Sequence, residues 1–526
     1  RMLRLIALAV LLQWLRQVGQ AKVWGSISGP LPLPVIGSVH RLLFGLHRLH
    51  EVCAEELQLF GGFYKWFYFH RPFVATGCPF HLRRVLVTEW RRYDRSDVEK
   101  AAFGDLLGSG LVLVDNSSWG EMRRLYQPAF GDRNLLAFAA HLRQWADSFA
   151  HGLLVVGEGG ASTVDLQEAA QTLTFRAIGL FTLGIDFEEE VWRAKLRKEM
   201  HSTSWRCTSF GDLWHRLIAH THSRFPFGFL QWWRVLKTQD VRAFEQGHDL
   251  LLRIIDQAIE DRKSGGCSNQ AAFKDLLSFM IGSSRGRQFS PNELRHQALT
   301  FLFAGHETTT TLIALCVRLL AANPAHQERA QAEAAHVNEP KPFLRACLLE
   351  TLRLYPSAPL RSRTLAADDV FAAAEPERCP CLRNPKAVRL AKGTGVNFNI
   401  YHLHRDPSLW MQPGAFDPSR FEAHTKQGLG ALLVAPWGSE ESEPLSYLPF
   451  GAGPRRCIGE RMALLEAEEI CAAILRHCKV FLAPNSPDLK AEMQLTLWIR
   501  EGVPLVFREA AERHLPQERA ALGQKK

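Results

Sequence analysis

The chain has 526 residues, 46% hydrophobic and 22% charged, with a formal net charge of +9 and a pI of about 9.0. This length allows one large domain or several, and the balance excludes global disorder and a multi-span membrane protein. The positive charge is scattered, without a dense Lys/Arg block, so an acidic protein partner or a membrane surface fits it better than nucleic acid. Eleven cysteines, irregularly spaced, argue against a disulfide scaffold and fit thiols in a reducing, cytosol-facing compartment.

Residues 1–28 open with a mostly apolar run, Leu3 to Leu15, among Arg1, Arg4 and Arg16. It falls short of the roughly 18–20 apolar residues that a membrane span needs. It reads as a clipped or marginal anchor, a processed targeting segment or an interfacial helix. The stretch Gly29-Pro30-Leu31-Pro32-Leu33-Pro34-Val35-Ile36-Gly37 follows. Its alternate prolines fix φ and remove amide donors, giving a stiff linker or a hinge that sets a catalytic body against a membrane. The aromatic run from Tyr64 to Thr76 is predicted β, and from Trp119 the pattern is helical for most of the chain. Trp119 and Arg123, at i and i+4, share a helix face.

Residues 205–233 carry Trp205, Phe210, Trp214, Phe225, Phe227, Phe229, Trp232 and Trp233. Such a cluster packs a core or dips into a lipid interface. A long helix is predicted from Pro291 to about Leu320. In its apolar middle, Glu307 and Thr308 are costly to bury without purpose, although a threonine-induced kink is a second reading. Another helix covers Pro342 to Tyr355, with Glu350 and Arg353 at i and i+3 on one face. Cys379 and Cys381 form a lone C-P-C without the further ligands of a metal site. Glu422 to Glu443 reads as an irregular loop, and 509–526 as a mobile tail.

The strongest signal is Phe450-Gly451-Ala452-Gly453-Pro454-Arg455-Arg456-Cys457-Ile458-Gly459. Glycines let backbone amides approach the Cys457 sulfur closely, and amide donors tune a thiolate and its metal. A helix starting after Cys457 turns its positive end toward the sulfur. Arg455 can reach an anionic group of a cofactor.

This decapeptide resembles the heme-binding signature F-x-x-G-x-R-x-C-x-G of the cytochrome P450 superfamily at every specified position. Glu350-Thr351-Leu352-Arg353 resembles the family's E-x-x-R, and Phe416-Asp417-Pro418-Ser419-Arg420-Phe421 its F-x-P-x-R-F, with Ser419 where an acidic residue is common. Ala304-Gly305-His306-Glu307-Thr308-Thr309 resembles the oxygen-activation motif, and Trp119-Gly120-Glu121-Met122-Arg123 the W-x-x-x-R. The interval from Ala330 to Glu350 is shorter than in the family.

The resemblance implies a mainly α triangular prism with small β sheets, formed by residues 29–508 around a buried heme. Cys457 is then the iron ligand. Arg455, Trp119, Arg123 and Arg363, or Arg361 beside the last, face the heme propionates, while Phe450, Gly451, Gly459 and Ala304 line the cofactor. The helix is locally opened over the heme, where Thr308 holds dioxygen and water and Glu307, over the oxygen site, feeds protons; His306 has no assigned role. Glu350, Arg353 and Arg420 form a structural charge network. Residues 98–114 and 205–233 line access to the pocket. Heme b is expected to be non-covalent, because Ala304 stands where related fatty-acid ω-hydroxylases carry an esterifying glutamate.

The expected reaction inserts one atom of dioxygen into a lipophilic small molecule. There is no Rossmann, flavin or iron–sulfur motif, so electrons come from a separate partner, an NADPH reductase or a ferredoxin. The expected location is a membrane, that of the endoplasmic reticulum facing the cytosol or of an organelle. The alternatives are a heme-thiolate isomerase or dehydratase of peroxides, against which Glu307-Thr308 argues, and a non-enzymatic heme-thiolate sensor or electron carrier.

Overall fold

The computed structural model describes Leu12 and residues 27–510, apart from 35, 44, 225–236, 265–272, 283–288, 372–386 and 426–444. Most of residues 1–28, the 225–233 aromatics, most of the 422–443 loop, Cys379, Cys381 and nearly all of the tail therefore lie outside the described residues.

Helices dominate, as expected, with small sheets. Those that build the site are α1 Asp97–Leu107, α2 Asn116–Tyr126, α3 Asp132–Val156, α4 Leu166–Leu183, α5 Phe210–Ser223, α6 Gln239–Lys263, α7 Pro291–Gly305, α8 Glu307–Ala322, α9 Pro324–Ala334, α10 Pro342–Leu354 and α11 Glu460–His477. Their ends follow local chemistry. Asp165 caps α4 by accepting the Gln167 and Glu168 amides, and Gly184 ends it in the left-handed region at φ 69. Ser290 and Glu293 close a capping box at the start of α7, with Pro291 in its first turn.

The strands are β1 Phe63–Tyr68, β2 Arg71–Thr76, β3 Tyr93–Arg95, β4 Val164–Asp165, β5 Leu360–Leu365, β6 Asp369–Phe371, β7 Val388–Leu390, β8 Gly395–Asn399, β9 Cys478–Leu482, β10 Ala491–Met493, β11 Leu497–Ile499 and β12 Pro504–Glu509. The largest sheet has order β1-β2-β8-β5-β3. Within it β2 and β8 run parallel, Phe73 opposite Gly395, and the other pairs are antiparallel. The predicted β segment from Tyr64 to Thr76 is thus one hairpin.

Two hydrophobic cores flank the site. One joins α2, α4, α5, α6 and α7; the other joins α3, α8, α10, α11, β9 and β12. Trp205, Phe210 and Trp214 are buried in the first core, Trp214 completely. This corrects the lipid-interface reading for these three: in a packed core, truncating a Trp to Ala costs roughly 3–5 kcal/mol.

The predicted 291–320 helix is two helices. The break falls at His306 (φ −79, ψ −80), between α7 and α8. The shortened interval before Glu350 leaves only the turn 335–341 between α9 and α10. Cys78 is disulfide-bonded, and every other described cysteine is a free thiol, in line with an expectation of mostly thiols. No described helix is long and apolar enough to cross a membrane.

Candidate heme site

A cavity lies between α7–α8 and the loop before α11. Cys457, Phe450, Gly451 and Gly459 line one wall, and Ala304, Gly305, Thr308 and Thr309 line another. Trp119, Arg123, Arg363 and Arg455 line it too. The candidate cofactor-binding and catalytic residues, far apart in the chain, therefore meet at one place, with one exception described below.

The cysteine loop is built by its glycines. Gly451 and Gly453 adopt φ 73 and φ 66, in the left-handed region where a side chain is strained. A Cβ on Gly453 would also lie 1.9 Å from the Leu86 carbonyl oxygen. The Cys457 amide donates to the Phe450 carbonyl at 2.9 Å, closing the loop. The Cys457 side chain is exposed, but to the cavity that it lines, and protein surrounds it. Burial pushes its thiol up, and Glu460 adds to this, while the Gly459 amide and Arg123 pull it down. A bound metal cation deprotonates such a thiol outright.

Above the loop, the helix break is pinned by polar contacts. His306, completely buried, pairs through Nδ1 with Thr174 Oγ1 at 2.9 Å, and Thr310 Oγ1 donates to the His306 carbonyl at 3.0 Å. Burial pushes the His306 ring down to about 4, so it is neutral. Its structural role was not visible in the motif, where it fills a variable position. Thr308 Oγ1 donates back to the Ala304 carbonyl at 2.8 Å, the local bond that loosens helices.

Glu307 is the exception. Its carboxylate does not line the cavity; it accepts from His215 Nδ1 on α5 at 2.8 Å and from Thr496 Oγ1 at 2.6 Å. The expectation that it sits over the oxygen site is corrected accordingly. A carboxylate inside apolar helices needs hydrogen-bond partners, and these two groups supply them.

The cavity rim is cationic. Arg455 donates to Asn116 Oδ1 and to the Val114 carbonyl, both at 2.8 Å, while its Nη2 is buried without a partner. The Trp119 ring lies 5.0 Å from the Arg455 guanidinium carbon and 5.6 Å from that of Arg123, which donates to the Arg456 carbonyl at 2.5 Å. Arg363 joins them from β5, and Arg361 lines the cavity as well. Arg95, at the end of β3, is a member that the sequence reading missed: it is buried, lines the cavity and leaves Nε without a partner. Burial and mutual repulsion push Arg455 down to about 9, Arg363 down to about 10 and Arg95 well down.

Beneath lies the charge network. Glu350 and Arg353, both completely buried, form two hydrogen bonds at 2.7 and 2.8 Å. Arg353 also donates to the carbonyls of His404, Pro413 and Ala415 at 2.7, 2.8 and 2.9 Å. Arg420 pairs with Glu350 at 3.5 Å. Ser419 turns to Asp417 at 2.5 Å, and Asp417 faces Arg420 at 3.8 Å.

A second cavity shares Arg361, Phe398 and Leu495 with the first. Val98 and Phe103 line it, and Leu111 and Val112 line the inner one, so the 98–114 segment does frame the pocket. Of the described residues in 205–233, only His222 lines either.

A helical prism with a cysteine loop facing a broken helix across a cation-rimmed cavity is the architecture of a heme-thiolate enzyme. The Cytochrome P450 family profile matches residues 27–504. The chain is 26% identical over 495 residues to cytochrome P450 97B2, chloroplastic, of Glycine max, covering 85% of this chain and 82% of that one. It is 26% identical over 484 residues to human cytochrome P450 4F8 (87% and 85%), and 28% identical over 424 residues to the probable cytochrome P450 4s3 of Drosophila melanogaster (76% and 76%). The chain belongs to the cytochrome P450 family: it is a monooxygenase that binds heme through a cysteine thiolate. The residues fit that group, since the partnerless Arg455 Nη2 and Arg95 Nε are donors short of an anion, as two propionates would provide.

Proposed function

We propose that the protein oxidises a lipophilic small molecule with dioxygen and electrons from a separate reductase, Cys457 being the heme ligand. The observation that carries this reading is the single cavity shared by Cys457, Thr308 and the arginine rim, which adjoins a second, mainly apolar chamber across Arg361, Phe398 and Leu495. Arg455, Trp119, Arg123, Arg363 and Arg95 hold the propionates. Phe450, Gly451, Gly459 and Ala304 line the cofactor. Heme, when bound, supplies oxygen activation at iron. Thr308 places a hydroxyl where dioxygen and water gather, Glu307 supplies protons from behind the wall, and the apolar walls exclude bulk water. This acid–hydroxyl pair favours a monooxygenase over an isomerase or dehydratase of peroxides. An apolar substrate partitions into lipid, so a membrane surface, of the endoplasmic reticulum or of an organelle, is the working location.

Optical titration of the holoprotein against a lipophile library tests this. Displacement of iron-bound water is expected from apolar ligands, with product formed only when reductant and dioxygen are both present. Turnover of a peroxide without reductant would overturn the reading.

The heme itself is expected to come free. Ala304 has no nucleophile, and the Glu307 carboxylate is turned to His215 and Thr496. Acidic organic extraction should release essentially all of it as unmodified heme b. Heme that stays with the polypeptide would show an ester to another carboxylate.

A further inference from the structure

Glu307 faces two ways. His215 Nδ1 donates to Oε1 at 2.8 Å, and Thr496 Oγ1 donates to Oε2 at 2.6 Å. Exposure falls along this line. The His215 side chain is 20% exposed and the Glu307 side chain 1%, while Thr496 is buried from bulk solvent and lines the heme cavity. Three elements thus meet in one hydrogen-bonded row: α5, the start of α8, and the turn between β10 and β11. The turn is anchored beside the row, where Thr311 Oγ1 donates to the Leu497 carbonyl at 2.9 Å. The His215 ring packs on Trp498, centroids 4.3 Å apart, which fixes its attitude.

We propose that His215, Glu307 and Thr496 form a proton relay from solvent to the heme cavity, with Thr496 as its inner end. This rests on reading Glu307 as the proton source for the monooxygenase. The reaction consumes dioxygen, two electrons from the reductase and two protons for each hydroxyl group and water formed. The relay moves protons alone.

An imidazole suits the outer station because it takes a proton on one nitrogen and gives one from the other. A proton arrives at Nε2 of His215 from water, and the Nδ1 proton passes to Glu307 Oε1. A half-turn of the carboxyl about its terminal torsion, which has two broad, equivalent wells, brings the protonated oxygen to Thr496. The threonine oxygen accepts that proton and releases its own hydroxyl proton into the cavity. The carboxylate turns back, and the imidazole, left with its proton on Nε2, exchanges it through water for one on Nδ1, which restores the row. Thr308, bonded back to the Ala304 carbonyl, is then free to serve the cavity without itself touching the acid.

The same contacts could merely tether α5 to α8, and substitutions separate the two roles. In heme-loaded enzyme, His215→Gln and Thr496→Val should each lower product formed per reducing equivalent by about tenfold. That lies below the roughly 10²–10⁴-fold of general acid catalysis because water partly substitutes. The lost equivalents should appear as hydrogen peroxide, with heme content unchanged. Thr496→Ser keeps the hydroxyl and should keep coupling. His215→Arg keeps an ion pair but holds its protons tightly, and should stay uncoupled.

A readout apart from turnover is the ring-nitrogen NMR of ¹⁵N-histidine protein in its diamagnetic carbon monoxide form. A hydrogen-bonded His215 Nδ1–H signal is expected, and it should shift in Glu307→Gln. Absence of that signal in the unaltered protein would overturn the relay, and so would full coupling in His215→Arg. Full coupling in His215→Gln and Thr496→Val, with Glu307→Gln impaired, would overturn the relay and leave Glu307 as proton source. Full coupling in Glu307→Gln would overturn the underlying reading itself.

Discussion

Cys457→His is expected to abolish the thiolate-type absorption of the reduced carbon monoxide complex and, with it, turnover. The sulfur lies on a loop closed by the 2.9 Å bond from its own amide to Phe450, and it lines the cavity opposite Thr308. Thiolate ligation pushes electron density toward O–O cleavage, and an imidazole does not replace that push. Loss of a group that only supports a metal ligand typically costs roughly 10–100-fold, so loss of the ligand itself should exceed that. The absorption spectrum decides the matter without substrate. An unchanged thiolate-type band in the variant would remove Cys457 as ligand, whatever happens to activity.

Glu350→Ala and Arg353→Ala should each yield protein poor in heme and far less stable. Arg353 is fully engaged: two bonds go to buried Glu350 and three to the carbonyls of His404, Pro413 and Ala415. Removing Glu350 leaves Arg353 buried without a counter-charge, and removing Arg353 leaves buried Glu350 only the more distant Arg420, a loss of roughly 3–5 kcal/mol. Those carbonyls lie in the segment that runs toward the cysteine loop, and Tyr447 beside that loop donates to the Leu349 carbonyl on α10 at 2.8 Å. Denaturant unfolding and heme quantitation of the purified variants check this. A fully loaded, equally stable variant with slower turnover alone would contradict a structural role.

The cysteine loop was legible because its glycines and its cysteine stand at fixed spacing within ten residues. Glu350 and Arg353 were legible as a pair for the same reason, three residues apart on one helix. The three carbonyls that complete Arg353 were not, since backbone acceptors on an irregular segment leave no trace in side-chain identity. Arg95 was missed because one arginine at a strand end, between Asp94 and Ser96, has no pattern to mark it. The break at His306 is legible only through the motif, whose resemblance implies a helix opened over the heme, since periodicity survives a one-residue break. Glu307 was placed on the wrong side of the wall because its direction is set by His215 and Thr496, both remote in sequence. The aromatic cluster left core and lipid equally open, and only packing placed Trp205, Phe210 and Trp214 inside.

The crowding of Arg95, Arg363 and Arg455 has a consequence for how the protein comes to exist in a cell. These side chains are buried near one another, and each is pushed down in part by its neighbours' charge. A dianionic tetrapyrrole is therefore a counter-ion that completes the fold as well as a reagent. Stability should track its concentration by mass action, a hundredfold excess over the dissociation constant adding about 2.7 kcal/mol. Cofactor supply, as much as gene expression, then sets how much of this chain survives proteolytic turnover.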